Sequence, residues 1–263
     1  MEEFKGQDIL NFIKELPNDD ACKAYLAKIK WQDGFICSKC GHTKGCEKSG
    51  YRYHCYSCQH VESATANTLF HKVKFGLQKV RKAMKSSQNY PLKKLIHVDE
   101  FTVGAKEEGK QGISYDTKKK KAVIAVELTD DSKVKRVYIK SIKDYLAKSL
   151  TPIFEQHIST SAKIITDKWR GYEPLKEIYD IEQIYSNNGK NFKQLHIMIM
   201  QVKSWLRAIP THVSKWYIQA YFDEFCFRIN RSQFKTSIFH KTIKRMVEAK
   251  PIYQNQIKQT LSV

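Results

Sequence analysis

The sequence predicts an α/β (α+β) protein: a mixed sheet with flanking helices, preceded by a small module clasped by cysteines. Three observations predict it. Four of the seven cysteines fall into two close pairs, Cys37-x2-Cys40 and Cys55-x2-Cys58, near the N-terminus. From about residue 95, apolar runs of strand length alternate with stretches of helical periodicity, in the order three strands, helix, strand, helix, strand, helix. Three meandering strands extended by a βαβ unit give a mixed sheet with helices on its faces.

Each element has its own local signal. Residues 1–30 read as helical, with Ile9, Phe12 and Ile13, then Cys22, Tyr25, Leu26 and Ile29, at helical spacing. Asn18-Asp19-Asp20 caps the second helix and sets two acids near its positive end. Trp31 ends that stretch, and Asp33-Gly34 makes a turn. Residues 35–62 hold the paired cysteines. A basic helical stretch, Gly76–Ser86, precedes a break at Asn89-Tyr90-Pro91. Ile96–Val103 reads as a strand. Lys121–Leu128 and Val134–Lys140 are two more, joined by the turn Thr129-Asp130-Asp131-Ser132. Asp144–His157 is helical despite Pro152. Ala162–Thr166 is a short strand ending at Asp167, Glu173–Tyr179 a short helix, Ile181–Tyr185 a strand and Ser186–Gly189 a polar loop. Phe192–Ala208 and Val213–Asn230 are helices with a break at Pro210, and the basic tail is helical. There is no internal repeat, and the low-complexity run Lys118–Lys121 reads as a solvated turn.

Length and composition narrow the function. A chain of 263 residues with 41% hydrophobic content can bury a sizeable core and is not a disordered one. No apolar run approaches the ~20 residues of a membrane span. The start, MEEFKGQDILNF, carries acids and no apolar signal core, so the expected location is cytoplasmic and nucleoid-associated. Lys+Arg number 46 against 27 Asp+Glu, a net +19. An excess of that size points to a polyanion, because basic side chains release the counterions condensed on nucleic acid. The competing reading, a protein that is basic only in a tail, is weakened because the excess runs through the whole chain.

The two cysteine pairs are separated by fourteen residues. Each pair can form a knuckle whose thiolates face one ion, and two knuckles complete a closed tetrahedral site, which is a structural zinc site. Gly41 follows the first pair, where the turn favours a residue tolerant of positive φ. So small a segment cannot hold itself by core burial, and the metal would supply its folding energy. Four unrelated thiols, or an iron site of the rubredoxin kind, are the alternatives. Cys46, His42, His54 and His60 break the paired symmetry and are left out as ligands. Cys22 and Cys226 lie on apolar helical faces as core residues.

The candidate catalytic acids come next. Asp99 lies inside an apolar strand, where a carboxylate is costly unless it meets a cation. Asp167 lies just beyond the strand Lys163-Ile164-Ile165-Thr166, where open α/β sheets place ligand groups. Two carboxylates on neighbouring strand ends form an oxygen site for Mg2+, the ion that assists phosphoryl transfer. A capping or turn role is the alternative for each, more so for Asp167.

Four segments carry a resemblance. They are His97-Val98-Asp99-Glu100-Phe101-Thr102-Val103-Gly104, Thr166-Asp167-Lys168-Trp169-Arg170-Gly171-Tyr172, Lys203-Ser204-Trp205-Leu206-Arg207, and Tyr221-Phe222-Asp223-Glu224-Phe225-Cys226-Phe227-Arg228-Ile229-Asn230-Arg231. Together they resemble the ISXO2-like insertion-sequence transposases, DDE-type enzymes with an N-terminal zinc ribbon, over most of residues 18–235. The resemblance implies a ribonuclease-H-like catalytic fold, catalytic Mg2+ or Mn2+, and double-stranded DNA partners: terminal inverted repeats and target DNA. It also implies a homo-oligomer on paired ends. By position, Asp99 and Asp167 match the first two acidic residues, the third falls on His196, and the lysine seven residues later falls on Lys203. Seven residues is close to two helical turns, so positions 196 and 203 share a helix side. Where many relatives carry Glu, His196 is a poorer ligand for Mg2+ than a carboxylate, and within Leu195-His196-Ile197-Met198 it also reads as a core residue. Lys203 contacts a DNA phosphate or is a solvated lysine. Glu100 and Glu224 are weaker candidates, and Glu224 fits an ion pair with Arg228 one turn on. Trp169 and Tyr172 either stack on a base or pack the following helix.

The expected organisation is a helical segment (1–34), the zinc ribbon (35–65), a basic helical linker (66–94), the ribonuclease-H-like catalytic domain (95–235) and a basic tail (236–263). Relatives carry a helix-turn-helix between ribbon and first acid. Here Thr68-Leu69-Phe70 runs almost directly into Leu77-Gln78-Lys79, as if the middle were missing, and Gly104-Ala105 replaces a glycine pair. An internally deleted element with impaired end recognition is the hypothesis this raises; demonstrated transposition by an intact copy with the same gap refutes it. The expected function is metal-dependent strand cleavage and strand transfer at insertion-sequence ends. The rivals are a zinc-ribbon DNA-binding relic with a dead catalytic fold, a ribonuclease-H-like nuclease, and, more weakly, a zinc-ribbon transcription factor.

Overall fold

The computed structural model describes residues 16–71, 83–86, 88–104, 119–187, 189–208, 217–232 and 237–251. The helix expected before residue 16, most of the stretch 76–86, Ala105, the Pro210 break and the end of the tail lie outside the described residues. In chain order the elements are α1 (Asp19–Lys30), β1 (Gly45–Lys48), β2 (Arg52–Cys55), β3 (Val61–Ser63), β4 (Leu95–Val103), β5 (Lys120–Leu128), β6 (Val134–Ile142) and α2 (Ala147–His157). They continue as β7 (Lys163–Thr166), a 3-10 helix (Arg170–Glu177), β8 (Asp180–Gln183), α3 (Lys193–Arg207), α4 (Ile218–Asn230) and α5 (Ile238–Glu248). Two compact units result, Met1–Met84 with Arg231–Val263, and Lys85–Asn230. Among the described residues no helix is long and apolar enough to cross a membrane.

In the first unit, Asn18 Oδ1 accepts the Ala21 N–H at 2.9 Å, and Asp19 and Asp20 occupy the first turn of α1. That is a capped start with its charges complementing the helix dipole. The strands β1, β2 and β3 form a small antiparallel sheet in that order. The end of α1 is fastened to this sheet. Lys30 Nζ donates to Glu62 Oε1 at 2.6 Å and to the Ser63 and Ala66 carbonyls at 2.9 and 2.6 Å. Glu62 Oε2 accepts the Ser38 N–H at 3.3 Å. With both partners nearly buried and each donor and acceptor used, deleting either alone would strand a charge, at a cost of about 3–5 kcal/mol. The basic helix α5 returns to this unit: Val247 packs with Leu16, Tyr25 and Ile29, and Leu69 N–H bonds the Met246 carbonyl.

The second unit is built on one sheet in the order β6-β5-β4-β7-β8. The β6–β5 and β5–β4 pairs are antiparallel, and the β4–β7 and β7–β8 pairs are parallel. This mixed sheet flanked by helices is the ribonuclease-H-like arrangement. Residues of β5 alternate between two cores: Ala122, Ile124 and Val126 meet α3 and α4 on one face, while Val123 and Ala125 meet α2 and the 3-10 helix on the other. Burial on both faces explains its unbroken apolar run. Glu127, buried in β5, accepts the N–H groups of Lys93 and Lys94 and pairs with Lys135, which anchors the start of β4.

The outer edge of β6 is closed by side chains of α4. Asn230 accepts the Val137 N–H at 2.7 Å and donates to its carbonyl at 2.9 Å; Gln219 does the same for the Ser141 N–H and the Ile139 carbonyl. Amides that imitate a neighbouring strand blunt an edge otherwise open to pairing with other chains. Asn230→Ala should lower stability by about 2 kcal/mol, since two hydrogen bonds go and two backbone groups lose their partner. Urea unfolding reads this directly; a change under about 0.5 kcal/mol would assign the edge protection elsewhere.

Candidate active site

The site begins with strand register. Along β4, residues 97, 99 and 101 face α3 and α4, and residues 96, 98 and 100 face the opposite core. β5 pairs with the full length of β4, including Asp99 with Ile124. β7 pairs with β4 only as far as Val98 with Thr166. Asp99 therefore stands where one edge of its strand opens, and the next pair in register is Asp99 with Asp167. Asp99 sits in the middle of β4 and Asp167 just past the carboxyl end of β7, so the two acids lie where the parallel β4–β7 pairing ends.

Their electrostatics follow from that proximity. Burial first, and the Asp167 carboxylate second, push the Asp99 pKa up to about 7; the Glu100 N–H, 2.8 Å from Asp99 Oδ1, and the Lys203 ammonium oppose the shift. Asp167 Oδ1 accepts the Trp169 N–H at 3.0 Å, and the Asp167 carbonyl accepts from Gln183, which holds the loop after β7. Glu100 points into the other core. Burial pushes its pKa up to about 8, and it lies close to the Tyr172 hydroxyl without reaching hydrogen-bond geometry.

Helix α3 supplies the remaining sequence-derived positions. Lys203 is half-buried, its Nζ 5.7 Å from the centre of the Phe101 ring, two residues along the strand from Asp99. Burial lowers its pKa, Lys119 and Arg207 lower it further, and Asp99 opposes them. Lys203 thus belongs to a basic cluster bordering the acids and is not freely solvated. His196 is held differently. Its ring lies against Gly189: a Cβ there would sit 3.0 Å from Cδ2 and 3.1 Å from Nε2. Gly189, at φ +82°, both makes the turn and leaves room for the imidazole. His196 Nε2 is buried without a hydrogen-bond partner, and burial, then Lys203, lowers its pKa. Among the described residues, Asp99, Asp167 and His196 do not form a set with ligand atoms all within 4.8 Å; the four zinc-ribbon cysteines do.

The two aromatics after Asp167 differ in burial. Tyr172 is fully buried, and Trp169 donates its indole N–H to the Tyr145 carbonyl at 2.8 Å while packing on the same core. Full burial leaves Tyr172 no face for a base and corrects the stacking alternative there, while the half-buried Trp169 packs the protein. Glu224 is buried and paired with Arg228 at 2.7 Å. The sequence reading passed over Tyr185, which is exposed beside Lys168. It also passed over His97, buried on the Asp99 face with its ring edge-on to Phe192 at 5.3 Å.

A pH dependence follows. An acid whose folded-state pKa exceeds its unfolded value stabilises the fold while protonated, and that contribution is lost as pH rises through the folded pKa. Asp99 and Glu100, at about 7 and about 8, are of this kind. His97 and His157, lowered by burial, act in the opposite sense but only below about 6.5, where the unfolded imidazole protonates. Between pH 6.5 and 8.5 in magnesium-free buffer, with zinc retained so that the cysteines do not titrate, the melting temperature should therefore fall, and Mg2+ should restore it most at the upper end. A melting temperature that rises across this window would contradict the reading.

The cysteine module is a separate site. Cys37 and Cys58 sulfurs lie 3.6 Å apart and those of Cys40 and Cys55 3.7 Å apart. Tetrahedral zinc with bonds of about 2.3 Å sets its sulfurs about 3.8 Å apart, so the cluster fits a structural zinc ion. The two knuckles match: Cys37 N–H bonds the His42 carbonyl and Cys55 N–H the His60 carbonyl, both at 2.9 Å. Gly41 (φ 76°) and Gln59 (φ 58°) take the same left-handed place after each pair. Backbone N–H groups of Cys58 and then Ser57, aimed at Cys55, lower its pKa, while the neighbouring thiols push that of Cys58 up, as four crowded sulfurs share too few protons.

The comparisons agree with this geometry. The family model described as the transposase zinc-ribbon domain matches residues 17–61, and that of the ISXO2-like transposase domain matches residues 91–230, more than half of the chain. No individually curated protein matches it. The paired acids at the sheet end, the four-cysteine module and these matches lead to one statement: the chain belongs to the ISXO2-like transposase family, with a DDE-type catalytic domain and an N-terminal zinc ribbon.

Proposed function

We propose that this chain cuts DNA at the ends of an insertion sequence and joins those ends to target DNA. The observation that carries the reading is the proximity of Asp99 and Asp167 where the parallel β4–β7 pairing ends, with Lys203 beside them. Their donor set is all oxygen, and Asp99 is a half-buried carboxylate set against the like-charged Asp167, which fits Mg2+ or Mn2+. When bound, such an ion supplies charge neutralisation at the reacting phosphate. Asp99 and Asp167 hold it. Lys203, Lys119 and Arg207 neutralise DNA phosphates beside it. His196, with a buried unpartnered Nε2, completes the site or orients a ligand. The reaction is in-line: the freed 3′-hydroxyl bonds to a target phosphorus as the target's own P–O3′ bond breaks. The zinc ribbon and basic helices hold the duplex, and a homo-oligomer pairs two ends.

A second reading has one observation in its favour. His196 replaces a carboxylate and is not gathered with the two aspartates, as in a DNA-binding relic that no longer joins strands. Incubating the purified chain, Mg2+ and DNA bearing the element's own inverted repeats decides between them. Joined products establish the transposase. Retained binding with neither cut nor joined product establishes the relic, and cuts without joining mark a nuclease.

A further inference from the structure

Tyr172 is fully buried and cannot stack on a base, and the indole N–H of Trp169 is used on the Tyr145 carbonyl. An exposed aromatic ring nevertheless lies just past β8, against the residue that follows Asp167. β8 runs parallel to β7, and the pairing continues past both strands through the Ile184 N–H bond to the Thr166 carbonyl. This brings Tyr185 level with Lys168, the residue after Asp167. Lys168 Nζ lies 3.7 Å from the centre of the Tyr185 ring, and the tyrosine is 73% exposed, so its opposite face is open to solvent.

The ring is held there by its loop. Asn191 Nδ2 donates to the Tyr185 carbonyl at 2.8 Å, and the Gly189 and Asn191 N–H groups bond the Ser186 carbonyl. A fastened loop that leaves a large aromatic in water gains nothing for the core. A cation and an open π-face one residue from a catalytic carboxylate suit a nucleotide instead, since every base offers a π-face and every nucleotide a phosphate. Within duplex DNA the base faces are hidden by stacking. The ring therefore suits a base that has left the stack, which costs least at an unpaired strand end.

We propose that Tyr185 stacks an unpaired base at the DNA end being processed, while Lys168 moves from the ring to that nucleotide's phosphate. This rests on the transposase reading of the neighbouring acids and adds a subsite for single-stranded DNA to it.

The test uses the full chain in magnesium-free buffer without chelator, so that zinc is retained. Fluorescence anisotropy compares a blunt duplex with the same duplex carrying a four-nucleotide single-stranded extension. The parent should bind the extended probe roughly ten-fold more tightly, the scale of one base–aromatic stack. Tyr185→Ala should bind both probes alike, while Tyr185→Phe, which keeps the π-face, should retain the preference. Lys168→Gln should lower the slope of log affinity against log salt on the extended probe by about 0.7, the value for one phosphate of a single strand. The inference is overturned if the parent shows no preference, if Tyr185→Ala keeps it, or if Tyr185→Phe loses it as fully as alanine does. Absence of strand joining by the parent is read in a separate assay and would sink the transposase reading alone. A parent that joins strands yet binds both probes equally would sink this subsite alone.

Discussion

Asp99→Asn is expected to reduce strand cleavage and joining by about 1,000-fold or more, a barrier increase of about 4 kcal/mol, while leaving DNA affinity and zinc content unchanged. The amide keeps the shape of the carboxylate and can still accept the Glu100 N–H. What it loses is the negative charge that would hold a divalent cation. Stability should move the other way. In the parent without metal, Asp99 is half-buried beside Asp167, and its charged form is disfavoured up to a pH of about 7. A neutral side chain removes that like-charge contact, so the variant should melt at or above the parent's temperature at pH 8. Loss of activity with undiminished stability is the signature of a functional carboxylate, whereas a capping residue would lose stability first. Because the two acids act as a unit, Asp99→Asn with Asp167→Asn should be little worse than either alone. Activity within ten-fold of the parent would remove Asp99 from the mechanism. Gel separation of cut and joined products, with thermal denaturation in parallel, checks both halves.

Cys55→Ala should leave the chain without stoichiometric zinc and unfold β1 to β3. Cys55 is fully buried, and the local core is small: Phe35, Cys37 and Cys55, with Trp31, Tyr53 and Cys58 packed against them. A structural zinc site contributes about 10–16 kcal/mol of binding free energy, most of it folding energy for a segment this size. The damage should reach α1, because the Glu62 carboxylate that holds Lys30 sits on β3. Expected results are protease cleavage between residues 36 and 63, at least a ten-fold loss of DNA affinity, and the same behaviour in the parent after chelation. Metal analysis that finds full zinc in Cys55→Ala would show that this sulfur is not a ligand.

Much of the fold is legible in the sequence because its signals are local. The Asn18 cap, the apolar run of β5 and the cysteine spacing each depend on a few neighbouring residues. The misplaced boundaries have local causes too. The helix expected from Asp144 starts at Ala147, because Asp144 accepts the Leu146 N–H and makes a turn first. The short helix expected over Glu173–Tyr179 is a 3-10 turn, Arg170–Glu177, with Pro174 inside it lacking an N–H. The strand expected through Tyr185 stops at Gln183, which frees the tyrosine. At the site, the end of the β4–β7 pairing sets Asp99 near Asp167, and the strand pattern that places both residues is local in the sequence. The tertiary setting of individual side chains is not carried. Burial of Tyr172 depends on what packs from distant segments, and the seat of His196 on Gly189 and the exposure of Tyr185 depend on where a loop turns and a strand stops.

Titration of the zinc-loaded chain with Mn2+, followed by the loss of the free-ion paramagnetic resonance signal, bears most directly on whether positions 99 and 167 hold a catalytic cation. The parent should take up Mn2+ at neutral pH, and Asp99→Asn with Asp167→Asn should take up none at this site. Equal uptake by parent and double variant would contradict the assignment, because the ion would then be held by other residues.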